Sequence, residues 1–291
     1  MTTAKVYHDG AVSGARRAVD AVMTVLLAAL CIVWIYPVFL ILINSLKAET
    51  AISTTSVFEL PTAASFVGLG NYIYGITKLN FLSSFCSSLI ITVTSVVLIL
   101  LCCSMCGWYI TRVTGTVSKL MYLLCAFSMV VPFQMVMFTL SKTADSLRLN
   151  TPFNIAIIYL GFGAGLAVFM FTGFIKGVSL EIEEAAMIDG CNTIQTFFLI
   201  VFPILKPTTI TVAILQAMWI WNDYLLPALV LNINKYKTIP IAIQYLKQSH
   251  GQVDWGAMMA VLVLAIVPIV IFYLACQKYI IEGVMAGAVK G

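Results

Sequence analysis

Four acids, Glu181, Glu183, Glu184 and Asp189, fall within nine positions of a chain in which only 10% of residues are charged. Carboxylates at that density, beside the small Ala185 and Ala186, suit pairing with arginine or lysine on another surface. A second polar set gathers Gln216, Trp219, Trp221, Asn222 and Asp223. It offers a carboxylate and amides next to indole faces, groups suited to a neutral polyhydroxylated ligand, and pairing across helices would use them equally well. Gln134, two residues after Pro132, has the same two readings. Catalytic sets are thin. His8 and His250 are the only histidines, and the topology implied by the charges puts them on opposite sides of a membrane. Cys103 and Cys106 have the spacing of a redox or metal pair, but they lie in an apolar run with no histidine or carboxylate nearby, where cysteine behaves as a small hydrophobe. No Gly-x-x-x-x-Gly-Lys-[Ser/Thr] phosphate cradle occurs, so ATP-driven work would have to come from a partner.

The elements that carry these groups are set by lipid. A chain that is 61% hydrophobic and so poor in charge is far from a soluble domain, where about 25% of residues are charged. Crossing the hydrocarbon takes about 20 apolar residues in a helix, because every backbone polar group must be satisfied within the segment. Reading from charge to charge predicts an all-α integral membrane protein with six transmembrane helices, at about 21–44, 84–110, 120–141, 152–175, 207–231 and 256–278. The first run, from Ala21 to Ile43, comes after Arg16-Arg17 but is too long for a signal-peptide core, and it reads as a retained anchor. Residues 1–18 form a polar N-terminal tail, 19–281 the six-span membrane domain and 282–291 a C-terminal tail rich in small residues. Gly161, Gly163 and Gly165 predict close helix contacts, with Gly161-x-x-x-Gly165 the fitting pair.

Orientation is set by basic residues near the span ends. With the N-terminus inside, nine Lys and Arg fall inside and seven outside, and Arg16-Arg17 flank the first span, which often fixes the rest. Both termini are then cytoplasmic, in a cell (inner) membrane. The net charge of +4 fits contact with anionic headgroups of the lipid bilayer, and no basic stripe interleaved with aromatics points to nucleic acid.

On this topology residues 176–206 form an inner loop between the fourth and fifth spans. Ser179 is placed to cap a helix, Glu181 and Glu183 stand in its first turn, and Gly190 offers a left-handed stop. Asn192 with Gln195 three residues on has the pattern of a capping box, and Pro203 breaks that second helix before the fifth span.

Here the residues resemble a known family. Glu184-Ala185-Ala186, three residues, Gly190, nine residues, Ile200, one residue and then an apolar residue with Pro203 is similar to the cytoplasmic signature loop of the membrane subunits of binding-protein-dependent ABC importers. Phe202 stands where that family usually has Leu. Trp221-Asn222-Asp223-Tyr224-Leu225-Leu226-Pro227 resembles a stretch of the carbohydrate branch, and the end from Gln277-Lys278-Tyr279 to Val289-Lys290-Gly291 resembles the terminus of the smaller maltose-type permease. The resemblance implies a non-catalytic permease subunit for an oligosaccharide. Glu181, Glu184, Ala185, Ala186, Asp189, Gly190, Ile200 and Pro203 would couple it to the ATP-binding subunit, and Gln134, Gln216, Trp219, Asn222 and Asp223 would be candidates for the solute path. It further implies a second sugar permease, two ATP-binding subunits and an extracytoplasmic sugar-binding protein. No cofactor is expected on this chain, with ATP and magnesium used by the partner subunits. A permease of the same architecture for a polyol or glycerol phosphate is the nearest alternative; a membrane-embedded enzyme or sensor would need a nucleophile–base pair or metal cluster that the chain does not offer.

Overall fold

A computed structural model describes residues 14–246 and 253–288, with the backbone alone at 14–16 and 279–288. The N-terminal tail up to residue 13, His8, His250 and residues 289–291 lie outside the described residues. No β-strand occurs among the described residues; Lys47 and Phe66 form an isolated antiparallel bridge. This is what lipid demands, since a helix satisfies its own backbone and an open sheet edge does not.

Helix α1 (Gly14–Asn44) is apolar on all sides, and only 6% of its span is buried within the chain. A short segment comes next, with α2 (Glu49–Thr54) and α3 (Gly70–Lys78). Asn71 fixes it by donating to the carbonyls of Ser45 and Lys47 at 2.8 and 2.7 Å. Helix α4 (Phe81–Arg112) presents a buried stripe of Ser84, Ser88, Ser95, Ile99, Cys103 and Gly107. Small side chains at a spacing of three and four let helices approach closely where no water drives them together. The stripe meets α7 (Ile155–Ile175), which is apolar all round and supplies the centre of the core with Ile155, Tyr159, Ala167, Phe171 and Ile175.

The stretch expected as one third span, 120–141, is instead two helices. These are α5 (Thr116–Ser128) and α6 (Phe133–Ser146), which meet at 104°. Pro132 takes an extended conformation (ψ 135°) at the head of α6. Its ring cannot continue α5, so the run of apolar residues is sharply bent there.

The fifth apolar run and the loop before it are also interrupted. Helix α8 (Leu180–Ile188) and the irregular helix α9 (Thr193–Ile204), whose middle is a π-helical stretch over Thr196–Val201, lead through a 76° bend into α10 (Lys206–Asn222). The helix expected to run to residue 231 ends at Asn222; Asp223 is extended (ψ 125°) and leads to a separate short helix α11 (Leu225–Val230). Helix α12 (Ile239–Gln244) packs back on α4, with Ile239 N–H donating to Ser88 Oγ at 2.9 Å.

The last helix, α13 (Trp255–Ala288), begins on Asp254, whose Oδ1 accepts from Ala257 N–H at 3.1 Å. It runs on through residues 282–288, so the part of the C-terminal tail that is described is helical and not an extended arm. Among the described residues, four helices are long and apolar enough to cross a membrane, or up to six if each bent pair counts as one span.

Candidate functional site

The acidic loop is held by its own caps. Ser179 Oγ accepts from Glu181 N–H at 3.3 Å at the start of α8, and Gly190 ends it with φ +92°. A left-handed stop of this kind is cheap only for glycine. Asn192 and Gln195 exchange side-chain to backbone bonds at 2.9 Å in both directions, the reciprocal capping box that restarts the chain as α9.

The four acids do not share one face. Glu181, Glu184, Ala185 and Asp189 are exposed, with Met187 and Ile188 beside them, and Ile188 is 86% exposed. Glu183 and Ala186, one helical turn apart, point inward and are buried. Both oxygens of Glu183 are occupied. Oε1 accepts from Arg112 Nε and Nη2 at 2.9 and 2.8 Å, and Oε2 accepts from Trp108 Nε1 at 2.8 Å. Arg112 Nη2 also donates to the Val178 carbonyl at 2.9 Å, which ties down the segment entering α8. A buried carboxylate is tolerated when paired and fully hydrogen-bonded, and removing one partner of such a pair costs about 3–5 kcal/mol. The returning arm grips the same indole: Phe197, 1% exposed, packs on Trp108 at 5.3 Å between ring centroids.

Glu183 is the residue that sequence reasoning missed, because beside its acidic neighbours it looks like one more first-turn acid facing outward. Two signals mark it. Glu183 and Ala186 fall three apart and define a face distinct from that of Glu184, and Arg112 is a lone cation ending a long apolar run.

Further along the loop, Ile200 lies half-buried in the π-helical stretch and Pro203 is exposed at the last turn before the 76° bend. Neither Cys103, in the core, nor Cys106 is joined in a disulfide, and no group of three or more His, Cys, Asp or Glu able to hold a metal occurs among the described residues.

The second polar set divides. Gln216 is buried, its Nε2 donating to the Gly163 carbonyl at 3.3 Å while Oε1 has no partner. Asp223 is half-buried at the break after α10; Oδ2 accepts from Tyr159 Oη at 2.9 Å and Oδ1 from Leu225 N–H at 3.0 Å. The carboxylate thus pins the break to α7 and starts α11. Tyr159 is fully buried and meets Trp219 edge-on at 5.5 Å. Trp219 is 43% exposed, Asn222 is exposed with Nδ2 donating to the Met218 carbonyl at 2.7 Å, and Trp221 turns the other way to meet Phe85 of α4. Gln134 is exposed in the first turn of α6, and that helix reaches this region at Ser141, which donates to the Leu229 carbonyl at 2.8 Å.

Of the three glycines expected at close contacts, two make them. A Cβ at Gly163 would meet Ile99 Cδ1 at 2.6 Å and Gln216 Oε1 at 2.9 Å, and one at Gly165 would meet Cys125 O and Ser128 Oγ at 2.8 Å. Gly161 faces open space within 4 Å, so Gly161-x-x-x-Gly165 is not a paired contact within this chain.

Comparison with known proteins shows the family. The chain is 38% identical over 268 residues to the probable starch degradation products transport system permease protein AmyC of Thermoanaerobacterium thermosulfurigenes, covering 92% of this chain and 96% of that one. It is 31% identical over 273 residues to the melibiose/raffinose/stachyose import permease protein MelC of Bacillus subtilis, covering 93% and 96%. In fold it is similar, with a TM-score of 0.77 and 24% identity over 92% of this chain and 98% of the other, to a chain in the crystal structure of a bacterial ABC transporter involved in the import of the acidic polysaccharide alginate. Residues 103–285, which hold the loop, the clasp on Trp108 and Arg112 and the break at Asp223, match the family described as binding-protein-dependent transport system inner membrane component, and the chain belongs to that family.

Proposed function

We propose that this protein is the smaller permease subunit of an ATP-driven oligosaccharide importer, built with a second sugar permease, two ATP-binding subunits and an extracytoplasmic sugar-binding protein. The protein itself is a non-catalytic membrane subunit, like the permeases it is related to. On this reading the chain crosses the membrane six times, with α5 and α6 counted as one span and α10 as the fifth, both termini are cytoplasmic, and α8 is the coupling helix. Sugar is the solute class because the relatives AmyC and MelC carry starch degradation products or melibiose, raffinose and stachyose. ATP and magnesium act on the partner subunits: their closure displaces α8 and opens the path outward.

The observation that carries the coupling role is the division of α8 into two faces. Glu183 and Ala186 are buried against the chain, while Glu181, Glu184, Ala185 and Asp189 are left exposed next to Gly190. A helix whose inner face is so firmly seated presents its outer face in a fixed orientation, as a docking surface requires. Ile200 and Pro203 lie on the returning arm and set where that surface ends. Along the solute path, the exposed Trp219, Asn222 and Gln134 face the sugar and the internally bonded Gln216 and Asp223 shape the wall.

Two substitutions test the coupling assignment. Gly190→Val strains a left-handed position by about 1–2 kcal/mol, and no atom of this chain lies within 4 Å of a Cβ built there, so within the chain the change acts through backbone conformation. Glu184→Lys reverses the charge on the exposed face. Both variants should insert normally yet lose sugar uptake and stimulated ATP hydrolysis in the assembled importer. Normal uptake by both would refute the assignment.

A further inference from the structure

The geometry points to α4, the second apolar span, as the element that receives the movement of α8, with Glu183, Arg112 and Trp108 as the positioning residues of the link. This rests on the proposed docking of α8 and adds where the displacement goes.

Chain connectivity would send it elsewhere. Helix α8 lies between α7 and α10 in sequence, yet both of those connections depart from regular α-helix, and the Val178 carbonyl of the first is itself bonded to Arg112 of α4. Residues 176–179 between α7 and α8 are not helical, and α9 reaches α10 only through a π-helical stretch and a 76° bend. A displacement applied to α8 can be absorbed by changes of backbone angle at either joint. The clasp to α4 has no such slack. It joins residues 71 and 75 positions apart in sequence through two charge-assisted bonds and an indole N–H, on a carboxylate that is 2% exposed. Charge-assisted bonds of this geometry are the strong ones, and pulling Glu183 from its partners would strand a charge away from water. Phe197 adds a second grip, because the returning arm packs on the same Trp108. Both arms of the loop are therefore fastened to the last turns of one helix, and α8 and the end of α4 move as one body.

The test uses the assembled importer in liposomes, with the native cysteines replaced and pairs of spin labels introduced by cysteine substitution. One pair joins Ile188 of α8 to Met105 of α4, and the other joins Ile188 to Leu215 of α10; all three side chains are exposed. On addition of ATP the Ile188–Met105 distance should stay fixed while the Ile188–Leu215 distance changes. A change in Ile188–Met105 as large as that in Ile188–Leu215 overturns the link, as does invariance of both distances. If the label at Ile188 is as mobile with the ATP-binding subunits as without them, the docking reading falls first and the link falls with it. Independently, Glu183→Gln and Trp108→Phe should lower sugar uptake per ATP hydrolysed by about tenfold, within the range usual for coupling between sites, with ATP hydrolysis retained. A merely structural role would lower both activities together and leave their ratio unchanged, and that result would overturn the proposal.

Discussion

Asp223 can be tested by a double-mutant cycle with Tyr159. The carboxylate accepts from Tyr159 Oη at 2.9 Å and from Leu225 N–H at 3.0 Å, so both of its oxygens serve the break between α10 and α11. Tyr159→Phe removes one donor, fully buried, and leaves Oδ2 without it. A hydrogen bond to a charged group contributes about 1.5–3 kcal/mol. Interhelical hydrogen bonds measured in membranes average about 0.6 kcal/mol and reach about 1.7 kcal/mol, because the unfolded state in lipid also finds partners. A charged acceptor and a buried donor place this bond at the upper end, so Tyr159→Phe should destabilise by about 1.5 kcal/mol. Asp223→Asn keeps an oxygen for Leu225 N–H and turns its amide toward Tyr159, which preserves geometry and halves the strength, a loss of about 1 kcal/mol. Because each single change removes the same charge-assisted bond, the double variant should lose about 1 kcal/mol less than the sum. Unfolding of the four proteins in detergent by increasing dodecyl sulfate or heat gives the cycle, and uptake at graded sugar concentrations gives the apparent affinity. Additive losses, with Asp223→Asn changing chiefly the apparent affinity for sugar, would refute the pairing and put the carboxylate on the solute itself.

The glycines of α7 give opposite signs at one spacing. Gly165→Ala drives a methyl into the Cys125 carbonyl and Ser128 hydroxyl and should destabilise by about 1–3 kcal/mol, whereas Gly161→Ala meets nothing and should gain up to about 1 kcal/mol of helix propensity; equal shifts in detergent melting would contradict the packing. For the C-terminal tail, removing the last eight residues should impair ATP-coupled uptake with insertion intact, and a cysteine at Ala288 should cross-link to the interface between the ATP-binding subunits. Full transport by the truncated chain would show the tail to be dispensable.

The sequence is most legible where chemistry is local. Ser179, Gly190, Asn192 and Gln195 each act within a turn or two of backbone, and each has the cap geometry that its type and spacing require. Legibility falls where the outcome depends on a distant partner. A run of uncharged residues from Lys119 to Lys142 looks continuous, since hydropathy cannot say that Pro132 will turn the chain by 104° instead of bending it slightly. The break at Asp223 is equally hidden, because it depends on a tyrosine 64 positions away.

The same limit separates the two kinds of surface on these helices. A residue that faces lipid is selected by its transfer energy alone, and α1, almost bare within the chain, can be recognised from its own apolar run. A residue between helices gains nothing by being apolar, since the lipid it leaves is as apolar as the neighbour it meets. What holds α4 against α7 and α8 is therefore close van der Waals packing that small side chains permit, together with hydrogen bonds: Gly163 against Ile99, Gly107 against Phe171, the serine stripe, and the carboxylate of Glu183 on Trp108 and Arg112. Those residue types also occur at exposed positions of the same elements, as Glu184 does on α8, and Gly161 on α7 meets no neighbour at all; only the arrival of a partner side chain tells the two apart. The contacts that organise this permease are thus carried by the residues whose roles depend least on their own chemistry and most on what packs against them.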